Sequence, residues 1–234
     1  MQQNIFVTGA DRGLGLSLCA GLLQQSWNVF AGQYMPEWHD LASLAEQYPQ
    51  SLHLIPLDVG SMESVQTAAQ KVEALTDHLD VLINNAGVTS QTKERAIREP
   101  QDYPEMHRLY DINSLGPLRV VEAFLPLMDR GNTKRLCFVS SEAGSITRAE
   151  RTSWFSYCMS KAALNMAVKL LFNDLHPAGY SFRVYHPGNV HSYMNTTGAM
   201  DPKDAAACAI PILLGARNED ELVMVDFEGK EWPW

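Results

Sequence analysis

The chain has 234 residues, 46% hydrophobic and 19% charged, which suits one α/β domain with a sizeable core and excludes disordered and fibrous classes. Its Lys and Arg number 18 against 27 Asp and Glu, a net charge of −9, so neither nucleic acid nor an anionic membrane is an expected partner. The four cysteines (Cys19, Cys137, Cys158, Cys208) form no C-x-x-C pair and the seven histidines show no metal spacing, so a reducing compartment fits and no disulfide framework or metal site is expected.

Met1-Gln2-Gln3-Asn4-Ile5 lacks the basic and apolar regions of a leader, and no apolar run approaches about 18 residues, so a cytoplasmic chain without a membrane span is expected. The chain then alternates short apolar runs with longer amphipathic stretches. A strand at 4–7 precedes a helix over 13–26, and a strand at 28–31 precedes a helix over 37–48. The strand 52–57 contains Pro56. Ser61 caps a helix over 62–77, with Val65, Ala69 and Val72 inside and Glu63 and Glu73 outside. A strand at 81–83, a polar stretch at 88–101 and a helical region around 103–130 follow. The second half reads as a strand at 135–139, a loop at 141–153 and a helix over 154–176 with Leu164, Ala167, Val168, Leu171, Phe172 and Leu175 on its apolar side. It continues with a strand at 182–185, a helix begun by Asp201-Pro202 and a last strand at 222–225. Such alternation predicts one α/β domain over residues 1–234, with a parallel sheet and right-handed crossovers.

Three places carry chemistry. Thr8-Gly9-Ala10-Asp11-Arg12-Gly13-Leu14-Gly15 joins a strand to a helix as G-x-x-x-G-x-G, the setting in which backbone and a helix N-terminus receive a dinucleotide pyrophosphate. The same glycine spacing also occurs in turns that bind nothing. Asp58-Val59 and Asn84-Asn85-Ala86-Gly87 follow the third and fourth strands, at the carboxyl edge where open α/β sheets bind ligands. In Tyr157-Cys158-Met159-Ser160-Lys161 a phenol and an ammonium share a helix face, so the ammonium should favour the phenolate and bring its pKa towards working pH.

These motifs, in this order with Asn113, Ser140-Ser141 and Pro187-Gly188, resemble the short-chain dehydrogenase/reductases across essentially the whole chain. The likeness is greatest to the sniffer and C-factor-like carbonyl reductase branch, through Arg12, Ser141-Glu142-Ala143-Gly144-Ser145-Ile146, His186-Pro187-Gly188-Asn189-Val190 and the tail Asp226–Trp234. The resemblance implies a Rossmann-type, doubly wound domain with a mainly parallel, seven-stranded sheet. It implies Tyr157 as general acid, Lys161 lowering its pKa and holding the nicotinamide ribose, Ser141 bonding the substrate carbonyl, and Asn113 supporting a water that leads to Lys161. The long interval from Ser141 to Tyr157 leaves Ser140 as the other serine. The cofactor would contact Thr8, Gly9, Arg12, Gly13, Leu14, Gly15, Asp58, Val59, Asn85, Ala86, Gly87, Tyr157 and Lys161. Pro187, Gly188, Val190 and Ser192 would cover its nicotinamide.

Ala31-Gly32-Gln33-Tyr34, after the second strand, holds no acid to bond a ribose 2′-hydroxyl, while Arg12 can pair with a 2′-phosphate or stand as a solvated charge. NADP is therefore expected over NAD. The substrate pocket falls to the loops 88–101, 142–156 and 189–200, and its substrate would be a small carbonyl or alcohol. Trp154-Phe155 either walls that pocket or packs in the core. The resemblance also allows a homodimer through the 154–176 helix. The rival function is a cofactor-binding signalling or scaffold protein with little turnover.

Overall fold

The computed structural model describes residues 3–234; Met1 and Gln2, which open the stretch read as lacking a leader, lie outside it. In each half, buried strands alternate with helices. The strands are β1 (Asn4–Val7), β2 (Asn28–Gln33), β3 (Leu52–Pro56), β4 (Val81–Asn84), β5 (Arg135–Val139), β6 (Ser181–His186), β7 (Met224–Asp226) and β8 (Glu231–Trp232). Their order, β3-β2-β1-β4-β5-β6-β7-β8, reverses direction between β1 and β4 and defines a doubly wound Rossmann-type sheet. Seven strands run parallel as expected, and β8 pairs antiparallel with β7. The tail at 226–234 carries the eighth strand. Asp226 Oδ1 accepts the amides of Glu228 and Lys230, Gly229 turns at φ +81°, and the chain folds back.

Strand residues alternate between two cores. Phe6, Phe30, Leu82 and Phe138 face one side with α3 (Met62–Glu73), α5 (Gly116–Asp129) and α6 (Phe155–Leu175). Ile5, Val29, Ile83 and Cys137 face the other with α1 (Gly13–Gln24), α2 (His39–Gln47) and α7 (Pro202–Leu214). Both faces are covered, so the strands read as continuous apolar runs rather than alternating ones. Ser61 caps α3 by accepting the Ser64 amide, and Asp201 caps α7 through Lys203, as the sequence indicated. None of the helices described is long and apolar enough to cross a membrane.

The helical region expected around 103–130 is present in three pieces. It consists of α4 (Tyr103–Tyr110), a π-turn at Asp111–Leu115, and α5. Within the turn the Asn113 side chain bonds Val88 and Ser160, and the Ser114 hydroxyl donates to the Ser160 carbonyl at 2.8 Å. Such side-chain bonds fix a π-bulge where an uninterrupted α-ladder would turn these residues elsewhere. The helix expected from 154 starts at Phe155, because Trp154 is left-handed at φ 66°.

At the amino ends of β5 and β6, Arg183 donates two bonds to the Glu219 carboxylate at 2.7 and 2.6 Å and one to the Gly215 carbonyl at 2.7 Å. Arg135 donates to the last carbonyls of α7, Leu213 and Leu214. The clamp ties α7 to the sheet. Glu219→Gln should lower the unfolding free energy by about 2 kcal/mol at neutral pH, because Arg183 stays buried and loses its anion. The Arg183 hydrogen bond chiefly holds the Glu219 carboxyl below its ordinary 4.5, so its contribution is complete above about pH 4.5 and lost as pH falls below that. Urea denaturation curves of the two proteins should accordingly converge in acid.

Candidate active site

The glycine-rich turn is pressed against the end of β4. The Thr8 hydroxyl accepts the Asn85 and Ala86 amides at 3.0 and 2.9 Å, and the Asn85 side chain donates back to the Thr8 and Gly9 carbonyls at 2.9 and 3.1 Å. A Cβ on Gly9 would lie 2.8 Å from Ala86 Cα, and one on Gly15 would lie 2.1 Å from the Gly9 carbonyl oxygen. Only glycine fits at either position, and Gly9 is also left-handed at φ +64°. Gly13 and Leu14 open α1, whose first turn carries no side-chain cap. Its amide groups hold the partial positive charge that suits a pyrophosphate. Asp58 accepts the Gly60 amide at 2.8 Å, and Val59 is buried with its carbonyl bonded by Arg119.

The residues singled out for proton chemistry converge from three parts of the fold. Ser141 follows β5 and caps a 3-10 turn at Glu142–Gly144, Asn113 sits in the π-turn, and Tyr157 and Lys161 lie one turn apart on α6. A Cβ on Gly87 would stand 3.3 Å from Asn113 Oδ1 and 3.7 Å from Lys161 Nζ. The Ser141 side chain, which accepts the Ala143 amide at 3.1 Å, is the neighbour that most favours the charged form of the Tyr157 phenol. Ser140 is engaged elsewhere, its hydroxyl donating to Asn165 Oδ1 at 2.6 Å. Asn113 spends its side chain on Val88 and Ser160, so only its backbone is left to support a water.

One electrostatic expectation reverses. Burial pushes the Tyr157 phenol up to about 12, with the Ser141 side chain pulling in the opposite direction. Burial also pulls the Lys161 ammonium down to about 8. Lys161 Nζ donates to the Val139 carbonyl at 3.0 Å and lies 5.9 Å from the Tyr157 ring centroid. Desolvation disfavours both charges, so the resting phenol keeps its proton.

Pro187 and Gly188 follow β6, and the segment beyond them reaches the glycine-rich turn: a Cβ on Gly13 would lie 4.0 Å from Ser192 Cβ. Val190 bridges Met200, and Ser192 bridges Asn195. Arg12 is not a solvated charge. Its guanidinium lies 4.4 Å from the Trp38 ring and 4.5 Å from that of Tyr193, and its buried Nη1 has no hydrogen-bond partner among the described residues. A cradle without Cβ atoms, an uncapped helix start and an unpaired arginine nitrogen together fit a phosphorylated dinucleotide.

Several residues at the site were missed or left open by the sequence. Trp154 stands edge-on to Tyr157 with centroids 6.2 Å apart, so the pocket-wall alternative for it fits the geometry. Its left-handed backbone is held by a bond from its amide to the Lys93 carbonyl at 2.6 Å, and the Lys93 ammonium lies 4.2 Å from the indole. Glu142 pairs with Arg151 beside them. The Trp154-Phe155 pair was the only local signal for the first of these. Trp38 and Tyr193 gave none, because their contacts span the chain. Among the described residues no metal-ligating group of three or more gathers.

The short chain dehydrogenase family model matches residues 3–202. The chain is 38% identical over 160 residues to the C-signal protein of Myxococcus xanthus, covering 68% of this chain and 95% of that one. The carbonyl reductase Sniffer of D. melanogaster superposes with a TM-score of 0.91 at 25% identity over 100% of both chains. The NADPH-bound carbonyl reductase from chicken fatty liver superposes with a TM-score of 0.88 at 28% identity, over 100% of this chain and 99% of that one.

Thr8→Val keeps the shape of the side chain but leaves two buried amides without an acceptor. It should cost about 2–4 kcal/mol in a denaturant titration, and Thr8→Ser should recover most of that.

Proposed function

The chain belongs to the short-chain dehydrogenase family, and on that premise we propose that it reduces a carbonyl compound, an aldehyde, ketone or quinone, to its alcohol with NADPH, Tyr157 delivering the proton. The assembly of Ser141, Tyr157 and Lys161 around one phenol carries this reading. When bound, the reduced nicotinamide supplies the hydride that forms the new C–H bond at the carbonyl carbon. The Ser141 hydroxyl donates to the carbonyl oxygen and orients it. The Tyr157 O–H bond breaks as its proton passes to that oxygen, giving the alcohol and leaving a phenolate. Lys161 stabilises that phenolate as an ammonium, in surroundings of low polarity where its charge acts strongly. A phenol that burial keeps neutral is suited to this direction, since it enters the reaction with its proton in place. The alcohol oxidation is the same path reversed.

Asn113, held through Val88 and Ser160, supports the proton path to Lys161 with its backbone. Arg12, Thr8, Gly9, Gly13, Leu14 and Gly15 hold the phosphates. Asp58, Val59, Asn85, Ala86 and Gly87 line the adenosine-to-nicotinamide edge, with Pro187, Gly188, Val190 and Ser192 over the nicotinamide. The likeness to C-signal supports the second reading, a cofactor-binding signalling protein with little turnover.

NADPH consumption by the purified protein with a panel of aldehydes, ketones and quinones separates the two. Tyr157→Phe should cut turnover by about 10²–10⁴-fold and leave NADPH binding intact. Binding by both proteins with turnover by neither would favour the signalling reading. Reduction should also weaken as pH rises through about 8, where Lys161 loses its proton, and stay level below it. A flat kcat/KM profile up to pH 10 would remove Lys161 from the proposed role.

A further inference from the structure

Arg12 is clasped by residues from two distant segments. Trp38 comes from the loop between β2 and α2. That loop is fixed because the Asp11 carboxylate accepts the Tyr34 and Met35 amides at 3.0 and 2.8 Å, and Trp38 in turn donates to the Met35 carbonyl at 3.1 Å. Tyr193 comes from the segment after β6, where Ser192 and Asn195 exchange backbone bonds of 3.0 Å and the Asn195 side chain reaches the Val190 carbonyl. The two rings meet edge to face with centroids 5.9 Å apart. Asp11, the acid next to Arg12 in sequence, spends its oxygens on the backbone amides.

We propose that Trp38 and Tyr193 determine the choice of NADPH over NADH by clasping Arg12, and thereby couple the 189–200 segment to the 2′-phosphate end of the cofactor. The inference rests on the NADP-dependent reading above. A guanidinium carries all its N–H groups in its own plane. Two rings set at 82° to each other hold the guanidinium from two sides, and its buried Nη1 keeps a donor without a partner among the described residues, which a 2′-phosphate entering the crevice can take. The cation is only weakly hydrated there, so a dianionic phosphate gains more from it than a 2′-hydroxyl does. The end of β2 and the residue after it are Gln33 and Tyr34, with no second cation there, so one restrained arginine must make the distinction. Tyr193 is 73% exposed, and replacing it removes little from the core.

The test is fluorescence titration of the purified protein with NADPH and with NADH, for wild type, Arg12→Ala, Tyr193→Ala and Tyr193→Phe. Wild type should prefer NADPH, and Arg12→Ala should lose the preference. Tyr193→Ala should weaken NADPH by about threefold to fivefold with NADH unchanged, and Tyr193→Phe, which keeps a ring, should stay near wild type. A preference lost in Arg12→Ala but kept in Tyr193→Ala overturns the clasp and leaves the NADP reading standing. A wild type without preference overturns both. Equal weakening of the two cofactors by Tyr193→Ala shows a merely structural ring and also overturns the clasp.

Discussion

The closeness of β1 and β4 at their carboxyl ends governs the site. There the Thr8 hydroxyl, the Asn85 amide and the two glycines at 9 and 15 occupy space in which no extra carbon fits. The sheet order reverses at this seam, so the helices on either side diverge and open a crevice. From it the glycine-rich turn leads towards Arg12. Ala86 and Gly87 lead the other way, towards Asn113 and Lys161. The proposed phosphate cradle and the proposed proton-transfer groups are thus spaced by one rigid piece of backbone.

Burial is the second constraint. The α6 face that holds Tyr157 and Lys161 is pressed against the end of β5, where the Val139 carbonyl takes the ammonium and Asn165 engages Ser140. Two titratable groups in such surroundings each lose hydration, and each moves towards its neutral form. An ammonium that solvation holds only weakly responds strongly to a phenolate forming nearby. In the proposed reaction the electrostatic preference therefore appears during the proton transfer, which is where it affects the rate.

The fold was largely legible because its strands are buried on both faces and separated by capped helices. Runs such as Asn4–Val7 and Arg135–Val139, and caps such as Ser61 and Asp201, depend on local physics. The G-x-x-x-G-x-G turn and the Tyr157–Lys161 spacing likewise lie within one element each. What the sequence could not display were effects decided by partners far along the chain. Periodicity across 103–130 continues through the π-turn, because the bonds that create it run from Asn113 to Val88 and from Ser114 to Ser160. The hairpin at Gly229 hid in a short polar tail, and two residues of strand leave no alternation to read. Pairing of the phenol with an ammonium suggested a lowered pKa, but the depth of burial that decides the sign is a tertiary quantity. The choice between Ser140 and Ser141 also waited on knowing where Asn165 lies.

The two ends of the sheet bear on how copies of this chain behave at high concentration. One edge is β3, five residues long, whose last position, Pro56, has no N–H to offer. The other is β8, two residues folded back over β7 and carrying the exposed Glu231. Neither edge presents the long, flat row of unpaired amides and carbonyls that templates strand addition. The hairpin at the tail thus acts as a stopper. It covers the free edge of β7 against seeding intermolecular sheet, and it leaves helices and loops as the surfaces through which two molecules can meet.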